Sequence, residues 1–284
     1  MQEFRDIVAL RAWRAERRSA GERVGLVPTM GALHEGHLAL VDDARSRVDA
    51  VVMSIFVNPL QFGPGEDYSR YPRDLDRDRA LAAGRGVVAL FIPGVEVMYP
   101  PGSETRVVPG ATAERWEGAV RPGHFAGVLT VVAKLFHLVE PDVAVFGQKD
   151  IQQGTLIRRM IQDLDINVEF ITTPTVRESD GLALSSRNAY LDPDQRQQAQ
   201  ALNRALRAAD AAWHSGIEDS AMIERLLRQQ FLLFPAVTID YIAIVDPQDL
   251  LPVEQVDRGT IIAVAGRIGS TRLLDNHILG SEFS

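Results

Sequence analysis

Two histidines three residues apart, His34 and His37 in the stretch VPTMGALHEGH, have the types and spacing to grip one anion. Once a helix has begun, side chains three apart lie on one face, and two imidazole N–H groups there can donate to phosphoryl oxygens. A zinc-protease reading fails, because HExxH needs its second histidine where Leu38 stands. Gly31 supplies a turn ahead of the pair, and Gly36 allows close backbone approach. A helix starting at this point adds unpaired N–H groups and a partial positive charge, a setting that favours phosphate.

Further polar groups cluster in four other short stretches. FVNPLQFG carries Asn58 and Gln61, uncharged amides that bond hydroxyls and a carboxylate without adding charge; Asn58 before Pro59 equally suits a turn in which it bonds its own backbone. FGQKDIQQ offers Gly147 for backbone approach to a nucleotide, Lys149 as a point charge for phosphates, and Asp150 as a helix cap or a partner for a ribose hydroxyl. SSRN presents Ser185, Ser186 and Arg187, two hydroxyls and a guanidinium in a stretch able to close over a triphosphate. EDYSRYPRDLDRD is a carboxylate run, mostly a solvated helix face. Magnesium needs only one or two protein carboxylates beside phosphates and water, and the run itself does not single one out. RPGHF, with Arg121 and His124, reads as a glycine-hinged lid or a plain loop.

The elements that must hold these groups are legible as alternating patterns. Strands are expected over 24–28, 50–57, 87–93, 143–147 and 167–172, several apolar throughout, as in a parallel sheet covered on both faces. Helical stretches lie between them: HLALVDDARSR, LDRDRALAAG, GVLTVVAKLFHLV and IQQGTLIRRMIQDL. Strand, helix, strand repeated this way implies an α/β, Rossmann-like, doubly wound parallel sheet, whose ligands bind beyond the strands' carboxyl ends. Past Thr172 the periodicity lapses in a segment rich in Thr, Ser, Pro and Gly. A helix then begins with Asp192 as N-cap and Pro193 at its first position, a second covers AMIERLLRQQFLLF, and three strand-like runs end the chain. The expected organisation is a Rossmann-like, nucleotide-binding type of domain over 1–176 and a smaller α+β domain over 177–284.

Composition limits the chemistry. The chain has 284 residues, 46% of them hydrophobic, enough to bury a full core. A net charge of -8 argues against nucleic-acid binding. Without cysteine there is no disulfide framework, cysteine-ligated zinc or thiol nucleophile. No apolar run is long enough for a membrane span and no signal peptide is visible, so the expected location is cytoplasmic.

Read together and in order, VPTMGALHEGH, SIFVNPLQFGPGEDYSRYPR, RPGHFAGVLTVVAKLF, FGQKDIQQ and PTVRESDGLALSSRN closely resemble the pantoate:β-alanine ligase family, within the HxGH nucleotidylyltransferases. GRIGSTRLLDN resembles that family's closing segment. The resemblance implies ATP binding by Met30, His34, His37, Gly147, Lys149, Asp150, Val176, Leu184, Ser185, Ser186 and Arg187. It implies pantoate binding by Met30, Asn58, Gln61 and Gln153. It also makes Asp78 the candidate magnesium ligand and Asp76 a weaker one, DLDRD being an unusual version of that family's stretch. His34, His37, Lys149 and Arg187 become the catalytic set, MgATP and β-alanine the co-substrates, and no tightly bound organic cofactor is expected. A homodimer, and a C-terminal domain closing over the active site, are further implications. Leu184 stands where the family often has Met, and Ile151 where it often has an aromatic; neither touches a charged role.

The implied reaction joins a carboxylate to an amine through an acyl adenylate. A nucleotidylyltransferase acting on a phosphorylated acceptor would share HxGH but needs more Arg and Lys, whereas Gln61 and Gln153 suit an uncharged diol with one carboxylate. A non-catalytic ATP-binding module is the rival from another class, because function resides in sites rather than folds.

Overall fold

The computed structural model describes residues 1–283. Two compact units divide them: Met1–Gly147 with Leu156–Thr173, and Gln148–Thr155 with the chain from Pro174 on. The second unit thus takes a short segment, Gln148–Thr155, that the sequence reading leaves in the first.

In the first unit the apolar runs become a six-stranded, all-parallel sheet: β1 (Gln2–Phe4), β2 (Val24–Thr29), β3 (Ala50–Ile55), β4 (Ala89–Phe91), β5 (Val143–Gly147) and β6 (Glu169–Thr173). The helices are α1 (Ile7–Ser19), α2 (Glu35–Arg45), α3 (Leu75–Gly84), the short α4 (Val95–Met98) and α5 (Glu117–Val120), α6 (His124–Val139), and α7 (Ile151–Asp163) from Leu156 on. Strand order is β1-β4-β3-β2-β5-β6. The chain therefore runs outward from β2 through β3 and β4, then crosses to β5 and β6, which puts the switch point between the carboxyl ends of β2 and β5.

Successive strand residues feed opposite faces, as a pleat requires. Leu26, Val52, Phe91 and Ala144 join the layer packed by α1 and α6, while Val27, Met53, Leu90 and Val145 join the layer packed by α2. Each large side chain fully buried here contributes roughly 1.5–3 kcal/mol. Helix α6 is apolar nearly all round and almost wholly buried, as a helix inside a large core must be. It packs so close to the Pro59–Gln61 turn that a Cβ on Gly127 would lie 2.1 Å from the Leu60 carbonyl oxygen.

The N-terminal β1 and α1 have no counterpart in the sequence reading. β1 is three mostly exposed residues on the sheet edge, and α1 buries only Leu10, Trp13 and Arg14, too narrow an apolar stripe to stand out. The second unit is α+β, as expected: an antiparallel meander of β7 (Val237–Val245), β8 (Ile261–Ile268) and β9 (Thr271–Ile278) covered by α8 (Pro193–His214) and α9 (Ser220–Leu232). Asp192 caps α8 in a reciprocal box with Gln195, and Pro193 opens it.

Candidate active site

Beyond β2 the chain must turn sharply before α2 begins. Gly31 takes the left-handed conformation at φ +85, where a Cβ would also press on Asp78 at 3.0 Å, and Ala32 follows at φ 51. Asp78 of α3 pins this turn: its two oxygens accept from the Leu33 N–H at 2.7 Å and the Ala32 N–H at 2.9 Å. Thr29 adds a brace, accepting from the Gly31 N–H at 3.2 Å and donating to the Ser54 carbonyl at 2.7 Å. Asp78, expected at magnesium, is only 1% exposed with both oxygens engaged by backbone, so its charge holds the turn instead. Asp76 pairs with Arg79 at 2.7 Å with its side chain 94% exposed. No group of three or more His, Cys, Asp or Glu side chains able to hold a metal occurs among the described residues.

His34 is the N-cap of α2, and its ring Nδ1 accepts from the Gly36 N–H at 3.1 Å. His37, at the third helical position, returns the bond: its Nδ1 accepts from the His34 N–H at 3.3 Å. Two histidines thus form the reciprocal capping box usually made by Ser or Thr with Glu. Because each Nδ1 is an acceptor, the neutral ring carries its proton on Nε2. The rings lie 4.0 Å apart and 32° from parallel.

The first unit also gathers Met30, Asn58 and Gln61. Asn58 Nδ2 donates to Gln61 Oε1 at 3.0 Å, and Gln61 Nε2 lies 3.4 Å from Met30 Sδ. The turn alternative for Asn58 is realised too, its Oδ1 accepting from the Leu60 N–H at 3.3 Å. Gln61's carbonyl accepts from Arg121 Nη2 at 3.1 Å and from His124 Nδ1 at 2.8 Å. Arg121 also holds Glu66 with two 2.7 Å bonds and meets Glu117 at 3.4 Å. Burial chiefly, helped by the Arg121 charge, pushes His124 down to about 4, so its ring is neutral, donates through Nδ1 and accepts the Arg121 N–H at Nε2, 3.1 Å away. Burial opposes the charge on Glu66, but Arg121 outweighs it and holds that carboxyl below its ordinary range.

Gly147 ends β5, and the chain enters the second unit through the Gln148–Asp150 turn. Within that unit Asn276 of β9 donates Nδ2 to the carbonyls of Gln148 at 3.0 Å and Lys149 at 2.8 Å, and accepts from Gln148 Nε2 at 3.2 Å. This fixes the backbone that carries Lys149, whose Nζ lies 3.8 Å from Asp150. Gln153, half-buried, follows in the first turn of α7.

Val176 and Leu184 face each other in a small antiparallel hairpin, the Leu184 N–H donating to the Val176 carbonyl at 2.9 Å. Arg177 anchors it on β9 by a buried two-pronged pair with Asp275 at 2.6 and 3.1 Å. Burial raises the Asp275 carboxyl above its usual range against the pull of Arg177. The hairpin delivers Ser185, whose Oγ accepts from the Arg187 N–H at 3.3 Å and starts the turn Ser186–Tyr190.

The sequence reading does not find Asn276, and leaves Arg121 and His124 without defined roles. Asn276 acts on a turn more than a hundred positions away, so only the closing LLDN, in a segment otherwise read as a strand, hints at it.

A doubly wound parallel sheet with a histidine-capped helix at the carboxyl end of its switch-point strand defines the class, an α/β protein of Rossmann-like type. More narrowly, the chain belongs to the pantoate-beta-alanine ligase family, whose model matches residues 2–278. It is 52% identical to the pantothenate synthetase of Moorella thermoacetica, over 98% of this chain and 99% of that one. The pantothenate synthetase structure from Thermus thermophilus superposes with a TM-score of 0.93 at 53% identity, covering 98% of this chain and 99% of that one. A pantoate-beta-alanine ligase from Francisella tularensis, complexed with beta-gamma ATP and beta-alanine, aligns over the whole of both chains with a TM-score of 0.81 at 34% identity. The resemblance carried by the five motifs is borne out.

Proposed function

We propose that this protein condenses pantoate with β-alanine at the expense of ATP, through a pantoyl adenylate. A carboxylate resists attack by an amine because both its charge and its oxide leaving group oppose the reaction. Adenylation removes both obstacles. In the first step a pantoate carboxylate oxygen attacks the α-phosphorus of MgATP, forming an O–P bond as the bond to pyrophosphate breaks. In the second, the β-alanine amine attacks the acyl carbon, the C–N bond forms, AMP leaves and the nitrogen loses a proton.

The observation that carries this reading is the reciprocal histidine box at the carboxyl end of β2, on the switch point of the sheet. It directs the protonated nitrogens of His34 and His37 away from the backbone they cap, at a helix start that favours phosphate. Neither step needs a protein nucleophile, so catalysis rests on positioning and on stabilising the charge that develops. His34, His37, Lys149 and Arg187 supply that stabilisation. Ser185 and Ser186 attend the departing pyrophosphate, and Met30, Gly147, Asp150, Val176 and Leu184 complete the nucleotide contacts. Gln61 and Gln153 hold pantoate. Magnesium would arrive with ATP and offset part of the triphosphate charge, while Asp78 keeps the Ala32–Leu33 turn in place. A homodimer in the cytoplasm completes the proposal. Among the described residues no helix is long and apolar enough to cross a membrane.

The test follows pyrophosphate, AMP and pantothenate separately with purified protein, MgATP and pantoate, with and without β-alanine. Pyrophosphate that requires pantoate, with AMP and pantothenate in steady turnover only when β-alanine is present, is the expected result. ATP binding without pantoate-dependent pyrophosphate would sink the ligase reading and favour another acceptor or a sensor.

A further inference from the structure

Asn58, expected against pantoate, is 1% exposed, and all its hydrogen-bonding capacity is used within the protein. Its Oδ1 accepts from the Tyr99 hydroxyl at 2.8 Å and the Leu60 N–H at 3.3 Å. Its Nδ2 donates to the Gly127 carbonyl at 3.1 Å and to Gln61 Oε1 at 3.0 Å. A side-chain amide can be flipped when its neighbours are ambiguous, but these are not. The Leu60 N–H only donates and the Gly127 carbonyl only accepts, so the polarity of Asn58 is fixed. That polarity passes to Gln61: its oxygen is held by Asn58, and its nitrogen lies on the other side, beside the weakly accepting Met30 sulfur at 3.4 Å.

We propose that Tyr99 is a positioning residue for the acid substrate: through Asn58 it locks the Gln61 carboxamide so that Gln61 meets the substrate as an N–H donor to an acceptor oxygen. The inference rests on the ligase reading above and adds to it the residue that sets Gln61 and the sense of its hydrogen bond. Tyr99 suits the task. It follows α4, its ring packs on Phe56 with Arg106 and Lys134 over it, and its hydroxyl is the remaining donor that completes the Asn58 oxygen. Burial raises the phenol well above its ordinary range, against a smaller opposing effect of Arg106, so the group stays protonated. With that donor gone, Asn58 Oδ1 keeps only the longer Leu60 bond, and the amide can rock and release Gln61.

The experiment is steady-state kinetics on Tyr99→Phe, Gln61→Ala and the double variant, with Asn58→Asp as a second route to the same break, since it replaces the donor to Gln61 by an acceptor. Tyr99→Phe keeps the ring and removes only the hydroxyl. The expected result is a pantoate KM raised about three- to ten-fold, the worth of one hydrogen bond, with the ATP KM unchanged within about two-fold. In the Gln61→Ala background the same substitution should add nothing, because residues acting through one another are non-additive. Asn58→Asp should also raise the pantoate KM selectively. An unchanged pantoate KM in Tyr99→Phe, equal rises for pantoate and ATP, or full additivity with Gln61→Ala would each overturn the inference while leaving parent turnover, and so the ligase reading, intact. A parent protein that makes no pantothenate would overturn that reading instead.

Discussion

The His34 N–H donates to His37 Nδ1 at 3.3 Å while the His34 ring caps the N-terminus of α2 from the other direction. Each histidine therefore has a structural bond at Nδ1 that is separable from the phosphoryl-donor role proposed for its Nε2. Asn is an excellent N-cap, so His34→Asn should keep the melting temperature near the parent's. Adenylation should nevertheless fall on the order of 10²- to 10³-fold, the usual loss for one transition-state donor. Thermal unfolding and pantoate-dependent pyrophosphate release, measured on the same preparation, check both halves. A variant adenylating at the parent rate would remove the ring from the chemistry.

Lys149→Ala should cost a similar 10²- to 10³-fold, again in adenylate formation. Asn276→Ala should slow the same half-reaction more mildly, because it loosens the backbone carrying Lys149 without removing the charge. Rapid-quench measurement of adenylate formation against aminolysis tells the steps apart. Failure confined to aminolysis would misplace Lys149.

Acid stability should depend on His124. Its folded value lies at about 4, below its ordinary 6.5, so between these values the unfolded chain binds a proton that the native protein refuses. The stabilisation is complete above pH 6.5 and is lost as pH falls toward 4, by up to about 3 kcal/mol. Glu66, also held low, adds a loss of the same sign at the acid end. His124→Gln should flatten the dependence between pH 6.5 and 4 in denaturant titrations; an unaltered slope would mean the ring is not buried neutral.

Gly127→Ala should be disproportionately harmful for one added methyl. Its Cβ would lie 2.1 Å from the Leu60 oxygen, so α6 or the Asn58–Gln61 turn must move. Overpacking of this kind costs about 1–3 kcal/mol, and the displacement should raise the pantoate KM more than the ATP KM. Chemical denaturation with substrate-specific kinetics tests this, and a parent-like protein would show that the helix and turn are not in close contact.

Sequence reading succeeds where information is local. The strand runs, the helix over LDRDRALAAG, the Asp192–Pro193 helix start and the histidines after β2 all announce themselves within a dozen residues. It fails where a bond joins distant segments: Asn276 to Lys149, Arg121 to Gln61, Tyr99 to Asn58. Such side chains look like ordinary strand, loop or turn residues until the fold brings their partners to them. Asp78 shows a subtler limit. In DLDRD the sequence offers three carboxylates, and only packing reveals that Asp74 caps α3, Asp76 meets solvent, and Asp78 is buried beneath the Ala32–Leu33 turn.

A carboxylate oxygen of pantoate should bridge to the α-phosphorus in the adenylate and stay with AMP when the amide forms. Turnover of carboxyl-¹⁸O-labelled pantoate with MgATP and β-alanine, followed by mass spectrometry of every product, tests it directly. One labelled oxygen in AMP and none in pyrophosphate is the expected result. Label in pyrophosphate or orthophosphate, or AMP free of label, would contradict attack at the α-phosphorus and with it the adenylate route.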